Sequence, residues 1–238
     1  MDQQLERIYL QLGEDNANKL KECKVLVVGV GGVGSYAVEA LARTGIGHIV
    51  LMDHDIVEVS NLNRQIMATY HTLKCSKTES MKQRIATYND LTKVTCIDSF
   101  FDESTMDVVK DCDFVIDAID TVTSKVMLYK ACALYKVPFI SCMGMGNRLD
   151  PTKIEVSELM KTSYDPLARS IRTMVRKLGL KMKIPVVCST EQPMKQTKII
   201  CVEGTTRKQQ MPPASTIFVP ASAGLACASY AIRELLGV

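Results

Sequence analysis

The feature that most constrains the fold is a glycine turn directly after a short apolar run. Lys24–Val28 (KVLVV) leads into Gly29-Val30-Gly31-Gly32-Val33-Gly34. A strand buried on both faces reads as such a β-branched run. The glycines permit a tight turn and let a phosphate approach backbone N–H groups at a helix N-terminus. A helix is expected from about Val33 to Arg43, then a second strand, His48–Met52, closing on Asp53. Asp53 falls 19 residues after Gly34, where a carboxylate in this context accepts ribose hydroxyls. Gly29, Gly31, Gly32, Gly34 and Asp53 are thus the first candidate nucleotide-binding residues.

The alternation continues, with helices expected near 76–88, 105–110 and 124–135 and strands at 93–97, 114–119 and 138–142. This rhythm predicts an α/β, Rossmann-like, mostly parallel sheet with helices on both faces. It changes after Gly146. A strand is expected at 152–159, and Asp165-Pro166 caps a helix with Leu167, Ile171, Met174, Val175 and Leu178 on one stripe. Another strand, 184–188, and a closing helix, 221–236, extend the sheet. The first twenty-odd residues read as one helix. We expect a single unit over 1–238, with a nucleotide half (1–150) and a substrate and dimer half (151–238) containing a mobile loop near 191–215.

Gln209 to Ile232 carries no charge, but its three prolines and small residues suit a close-packed internal helix rather than a membrane span. The nine cysteines are scattered without a CxxC pair, which excludes a paired-CxxC zinc site and suits reduced thiols. No basic-then-apolar leader opens the sequence, so a cytoplasmic location is expected. His48, His54 and His71 are too dispersed for a metal or acid–base set, and His54 reads as a turn residue.

NAD is the default ligand of such a turn. Here, however, Asp55 is followed by Ser60-Asn61-Leu62-Asn63-Arg64-Gln65, and Lys77 begins the next helix. Amide donors and cations gathered near a phosphate turn suit a triphosphate. Asp120, after the fourth strand, either holds Mg²⁺ against phosphate oxygens or caps the following helix.

Together these motifs and Asp117-x-x-Asp120 resemble the ubiquitin-activating-type adenylyltransferases, over about Gln4 to Pro151. The resemblance implies that ATP is the nucleotide and that Asp53 holds its ribose. It further implies that Asn61, Arg64, Gln65 and Lys77 contact phosphates and that Asp120 binds Mg²⁺. Arg7 would reach into the site of a partner subunit, making a homodimer. The shared chemistry is attack of a carboxylate on the α-phosphate, giving an acyl-adenylate and pyrophosphate.

The second half bears on whose carboxylate is activated. From Arg148 to Lys208 there are 13 Lys+Arg against six acids, a local +7 within a chain of net +3. Arg172 to Lys183 contains five cations and no acid, which suits either a phosphate backbone or a solvated helix face. The segments Gly144–Ile154, Tyr164–Arg169 with Arg172, and Cys188–Pro193 resemble the tRNA threonylcarbamoyladenosine dehydratase branch of the same superfamily. That resemblance spans essentially the whole chain. It implies adenylation of the threonyl carboxylate on a modified adenosine beside a tRNA anticodon, then ring closure by a neighbouring nitrogen with loss of AMP. Arg148, Arg169, Arg172, Arg176, Lys177, Lys181 and Lys183 are the expected tRNA-binding cations. A monovalent cation (Na⁺ or K⁺) and a cysteine desulfurase or sulfur-acceptor partner are further expectations of that resemblance.

Three other readings stand beside it. A carrier-protein activator would use the same ATP site on a C-terminal glycine, but its common CxxC pairs are missing. A nicotinamide oxidoreductase would leave Arg64, Lys77 and Asp120 idle. A non-enzymatic nucleotide sensor is the third. Cys188 lies where carrier activators place a catalytic thiol, yet Val186 and Val187 before it suit a buried strand cysteine.

Overall fold

The computed structural model describes residues 2–196 and 213–238, so most of the loop expected near 191–215 lies outside the described residues. The elements are α1 (Glu6–Leu12), α2 (Glu14–Glu22), β1 (Lys24–Val28), α3 (Gly34–Thr44), β2 (His48–Met52), α4 (Lys77–Ala86) and β3 (Lys93–Ile97). They continue with β4 (Phe114–Asp117), α5 (Val122–Tyr135), β5 (Phe139–Cys142), β6 (Ile154–Glu158), α6 (Pro166–Lys177), β7 (Pro185–Ser189) and α7 (Phe218–Leu236).

The strands form a seven-stranded sheet in the order β3-β2-β1-β4-β5-β7-β6. All neighbours are parallel except β6 and β7, which pair antiparallel with Val156 opposite Val187. The order reverses between β1 and β4, where Val28 is in register with both Met52 and Asp117. A crevice opens at the carboxyl ends of strands at such a reversal, and ligands bind there.

The period-two alternation of a strand divides the core. Val25 and Val27 of β1 join Ile49 and Leu51 of β2 on the face covered by α3, α4 and α7. Leu26, Val28, Val50 and Met52 point to the other face, against α5 and α6. Covering on both faces is why these strands read as unbroken apolar runs. The expected stripe of α6 holds in part: Ile171 and Val175 are buried and Leu167 and Met174 half-buried, but Leu178 follows the helix end and is exposed. The small residues of α7 allow close approach to α3: a Cβ at Gly224 would lie 2.3 Å from the Val33 carbonyl oxygen. No described helix is long and apolar enough to cross a membrane.

Two expectations change. The N-terminal helix is two helices, because Gly13 sits at φ +82° between them. The short helix expected at 105–110 is a 3₁₀ stretch, Glu103–Val109, opened by an Asp102–Thr105 capping box.

Candidate active site

The glycine turn is fixed by sterics and by one carboxylate. Gly29 has φ +89°, and a Cβ there would lie 2.6 Å from the Ala118 carbonyl oxygen of the neighbouring strand end. A Cβ on Gly34 would sit 1.8 Å from the Gly29 oxygen. Neither position tolerates a side chain. Asp53 is buried, its Oδ2 accepting Val30 N–H at 2.6 Å and its Oδ1 accepting Asp55 N–H at 2.9 Å. The carboxylate at the end of β2 therefore braces the turn at the end of β1.

A cavity of about 630 Å³ lies over this turn, a size that suits a nucleotide with room beyond it. Gly31, Gly32, Asp53, Asn61, Arg64, Gln65 and Lys77 all line it. Lys77, at the first position of α4, is 6% exposed, and its ammonium lies 2.6 Å from Asp55. Asn61 Oδ1 accepts Glu58 N–H at 3.0 Å and so shapes the short turn that carries Arg64 and Gln65. Arg64 donates to the Ser60 carbonyl at 2.8 Å and to Asn63 at 2.9 Å. Burial holds its guanidinium below its ordinary pKa, a penalty that an adjacent anion relieves.

The side-chain oxygen of Gln65 is buried without a hydrogen-bond partner. A buried polar group in that state calls for a ligand or water. The glycine cradle and two half-buried or buried cations fit the phosphates of a nucleotide, while the orphaned Gln65 oxygen calls for a hydrogen-bond donor. Asp120 lines the same cavity, exposed, and accepts from Thr121 Oγ1 at 3.3 Å.

The far wall comes from β5 and α6. Asp165, 4% exposed, accepts Ala168 N–H at 3.0 Å as the N-cap of α6 and Gly144 N–H at 2.8 Å. One carboxylate thus joins the helix start to the segment leaving β5. Met143 to Asn147, Pro166 and Leu167 complete that wall.

Arg148 is a correction. Expected among the RNA-facing cations, it is 2% exposed. It donates to the Glu191 carbonyl at 3.0 Å, to the Tyr164 carbonyl at 3.1 Å and to the Gly144 carbonyl. It is an internal strut that also lines the cavity, so it is not part of an exposed basic surface. Arg172 is half-buried and donates to the Thr162 carbonyl at 3.0 Å and to the Thr162 hydroxyl, so it also has a structural task. Arg169, Arg176, Lys177, Lys181 and Lys183 are exposed. Arg7 is exposed on α1 and does not line the cavity of its own chain.

Sequence reasoning missed several residues here. His54 is more than a turn residue: its ring stacks on Phe100 with centroids 3.3 Å apart, its Nε2 lies 3.0 Å from Asp55, and both rings line the cavity. The signal available was position alone, at the ends of β2 and β3. Cys188 is a buried strand cysteine. Burial, with Glu155 and Asp165 nearby, pushes its thiol up to about 12, the opposite of an activated nucleophile.

The ThiF family profile matches residues 3–237. A Bacillus subtilis tRNA threonylcarbamoyladenosine dehydratase is 40% identical over 240 residues, covering 98% of this chain and 94% of that protein. The crystal structure of the Escherichia coli tRNA N6-threonylcarbamoyladenosine dehydratase in complex with ATP superposes with a TM-score of 0.88 at 33% identity, covering 99% of this chain and 94% of that one. An adenylyltransferase and sulfurtransferase from Culex quinquefasciatus is 35% identical over 135 residues, only 56% of this chain and 31% of that protein.

Proposed function

The chain belongs to the ThiF family, and from that premise we propose that it is an ATP-dependent dehydratase of threonylcarbamoyladenosine in tRNA. The observation that carries the reading is one cavity with two unlike walls. Phosphate-seeking groups (Arg64, Gln65, Lys77) line one side, and a separate wall built on Gly144, Pro166 and Leu167 faces it. Similarity to the dehydratases across nearly the whole chain, second half included, supports that substrate over a carrier protein.

ATP is the co-substrate. Its ribose meets Asp53, which lines the cavity at the end of β2. Its phosphates lie on the glycine turn, with Arg64, Lys77, Asn61 and Gln65 donating to them. Asp120 would hold Mg²⁺, which would supply neutralisation of phosphate charge. These groups orient the α-phosphate and spread the charge that develops when the threonyl carboxylate attacks it, displacing pyrophosphate. A nitrogen of the same modified base then attacks the acyl-adenylate carbonyl and expels AMP. Both steps rely on positioning, and the second is intramolecular, so no enzyme nucleophile is required.

Residues 1–150 supply the nucleotide site in this reading, and 151–238 supply the RNA contacts, through Arg169, Arg176, Lys177, Lys181 and Lys183, and the contacts of a homodimer. Arg7 completes the partner's site in that homodimer. The location is cytoplasmic, where tRNA is modified. Mass spectrometry of anticodon-loop nucleosides from cells with and without the protein tests the reading. Loss of the cyclic nucleoside with accumulation of its open precursor supports it, and an unchanged nucleoside profile refutes it.

A further inference from the structure

Lys125, on α5, is fully buried at 0% exposure, and the chemistry above does not use it. Its ammonium donates to Asp117 Oδ2 at 2.8 Å, to Ser141 Oγ at 3.1 Å and to the Cys142 carbonyl at 2.8 Å. Those three bonds use all its hydrogens. Asp117 is equally buried, and its Oδ2 also accepts the Ser141 hydroxyl at 2.6 Å. The Tyr129 hydroxyl meets Ser141 at 2.7 Å. Burial keeps the Tyr129 phenol protonated, so it donates to Ser141, which in turn donates to Asp117.

A buried ion pair is a weak source of stability, because apolar residues of equal volume often serve as well. This network does something such residues cannot do: it ties two strand ends together by directional bonds. Asp117 Oδ1 accepts Ile119 N–H at 3.0 Å, setting the turn that leads to Asp120. The Cys142 carbonyl ends β5, where the wall Met143–Asn147 begins. Both segments leave neighbouring strand ends, with Asp117 in register with Ser141, and both line the cavity. We propose that Lys125 is a positioning residue, holding the turn that carries Asp120 and the Met143–Asn147 segment in register at the cavity so that carboxylate and α-phosphate meet. The inference rests on the adenylation reading, in which a displacement of about 1 Å between reacting groups lowers the rate on the order of 100-fold.

Lys125→Met alone leaves Asp117 buried and uncompensated, so lost activity would not separate folding from positioning. The decisive variant is Asp117→Asn with Lys125→Met, which is neutral inside. Its melting temperature, its affinity for ATP by calorimetry and its kcat and KM with tRNA bearing threonylcarbamoyladenosine are compared with wild type. Expected are ATP affinity within about threefold and unchanged KM for tRNA, with kcat for AMP formation down about 100-fold. A kcat equal to wild type overturns the positioning role. Should the double variant fail to fold, Ser141→Ala keeps both charges and removes one link. A fall in kcat of about tenfold with a retained melting temperature supports the role, and an unchanged kcat overturns it. Wild-type protein that forms no AMP from this RNA refutes the dehydratase reading itself, and the positioning role falls with it.

Discussion

Asp55 and Lys77 form an ion pair of 2.6 Å across the mouth of the nucleotide cavity, with the lysine side chain 8% exposed and the aspartate 50%. The charge that would meet a triphosphate is held in place before any nucleotide arrives. Such preorganisation is what gives a cation catalytic effect, because no reorganisation is needed during the reaction. Lys77→Ala is expected to lower kcat for AMP formation about 100-fold to 1000-fold. Asp55→Asn keeps the lysine but loosens it, and should raise KM for ATP several-fold with a smaller change in kcat. Steady-state kinetics of both variants check the pair; equal effects on kcat and KM in both would deny it.

Asp120 is exposed and lines the cavity. Asp120→Ala should abolish Mg²⁺-dependent ATP turnover while shifting stability by no more than about 0.5 kcal/mol. Thermal denaturation beside AMP formation reads both. Retained turnover would remove Asp120 from the metal role.

The glycine turn makes a stability prediction. Gly29→Ala places a methyl 2.6 Å from the Ala118 oxygen at φ +89°. Left-handed strain of about 1–2 kcal/mol and overpacking of about 1–3 kcal/mol both act. Urea denaturation should show a loss of several kcal/mol, and a loss below about 1 kcal/mol would contradict the described turn.

These features differ in how visible they were in the chain. The turn, β1, β2 and Asp53 were legible because each is local: a β-branched run, glycines and a carboxylate at a set distance. Lys77 and Gln65 were legible by spacing, though the Asp55 pairing was not. Arg148 and Lys125 were opaque for one reason. A charged residue type argues for the surface, and only the tertiary fold shows that carbonyls of Gly144, Tyr164 and Glu191, or Asp117 with Ser141, surround it. The first twenty-odd residues read as one helix because their apolar spacing runs on, but Gly13 at φ +82° divides it.

The basic surface separates into two classes of cation, and salt dependence distinguishes them. Replacing exposed Arg176, Lys177 and Lys181 with Ala should weaken tRNA binding. The salt slope should fall by about 0.7–0.9 for each phosphate that is no longer neutralised. Arg148→Ala should leave that slope unchanged and destabilise the protein, since it strands three carbonyls. Binding titrations at several salt concentrations decide; an unchanged slope in the triple variant would mark the patch as solvated surface.

Cys188 supplies a pH test. Its thiol, raised to about 12 chiefly by burial, stays protonated through the physiological range. Cys188→Ala should leave AMP formation within about twofold of wild type, and alkylation at pH 8 should spare this residue in the folded protein. Rapid labelling coupled to loss of activity would restore the catalytic-thiol reading.

Activation of a carboxylate on a modified adenosine in tRNA is read by AMP and pyrophosphate release from ATP by the purified protein. One tRNA bearing threonylcarbamoyladenosine is compared with an unmodified transcript of the same sequence. One AMP per modified tRNA and background release with the transcript are expected. Equal release from both RNAs, or release that requires a small carrier protein with a C-terminal glycine, would contradict it.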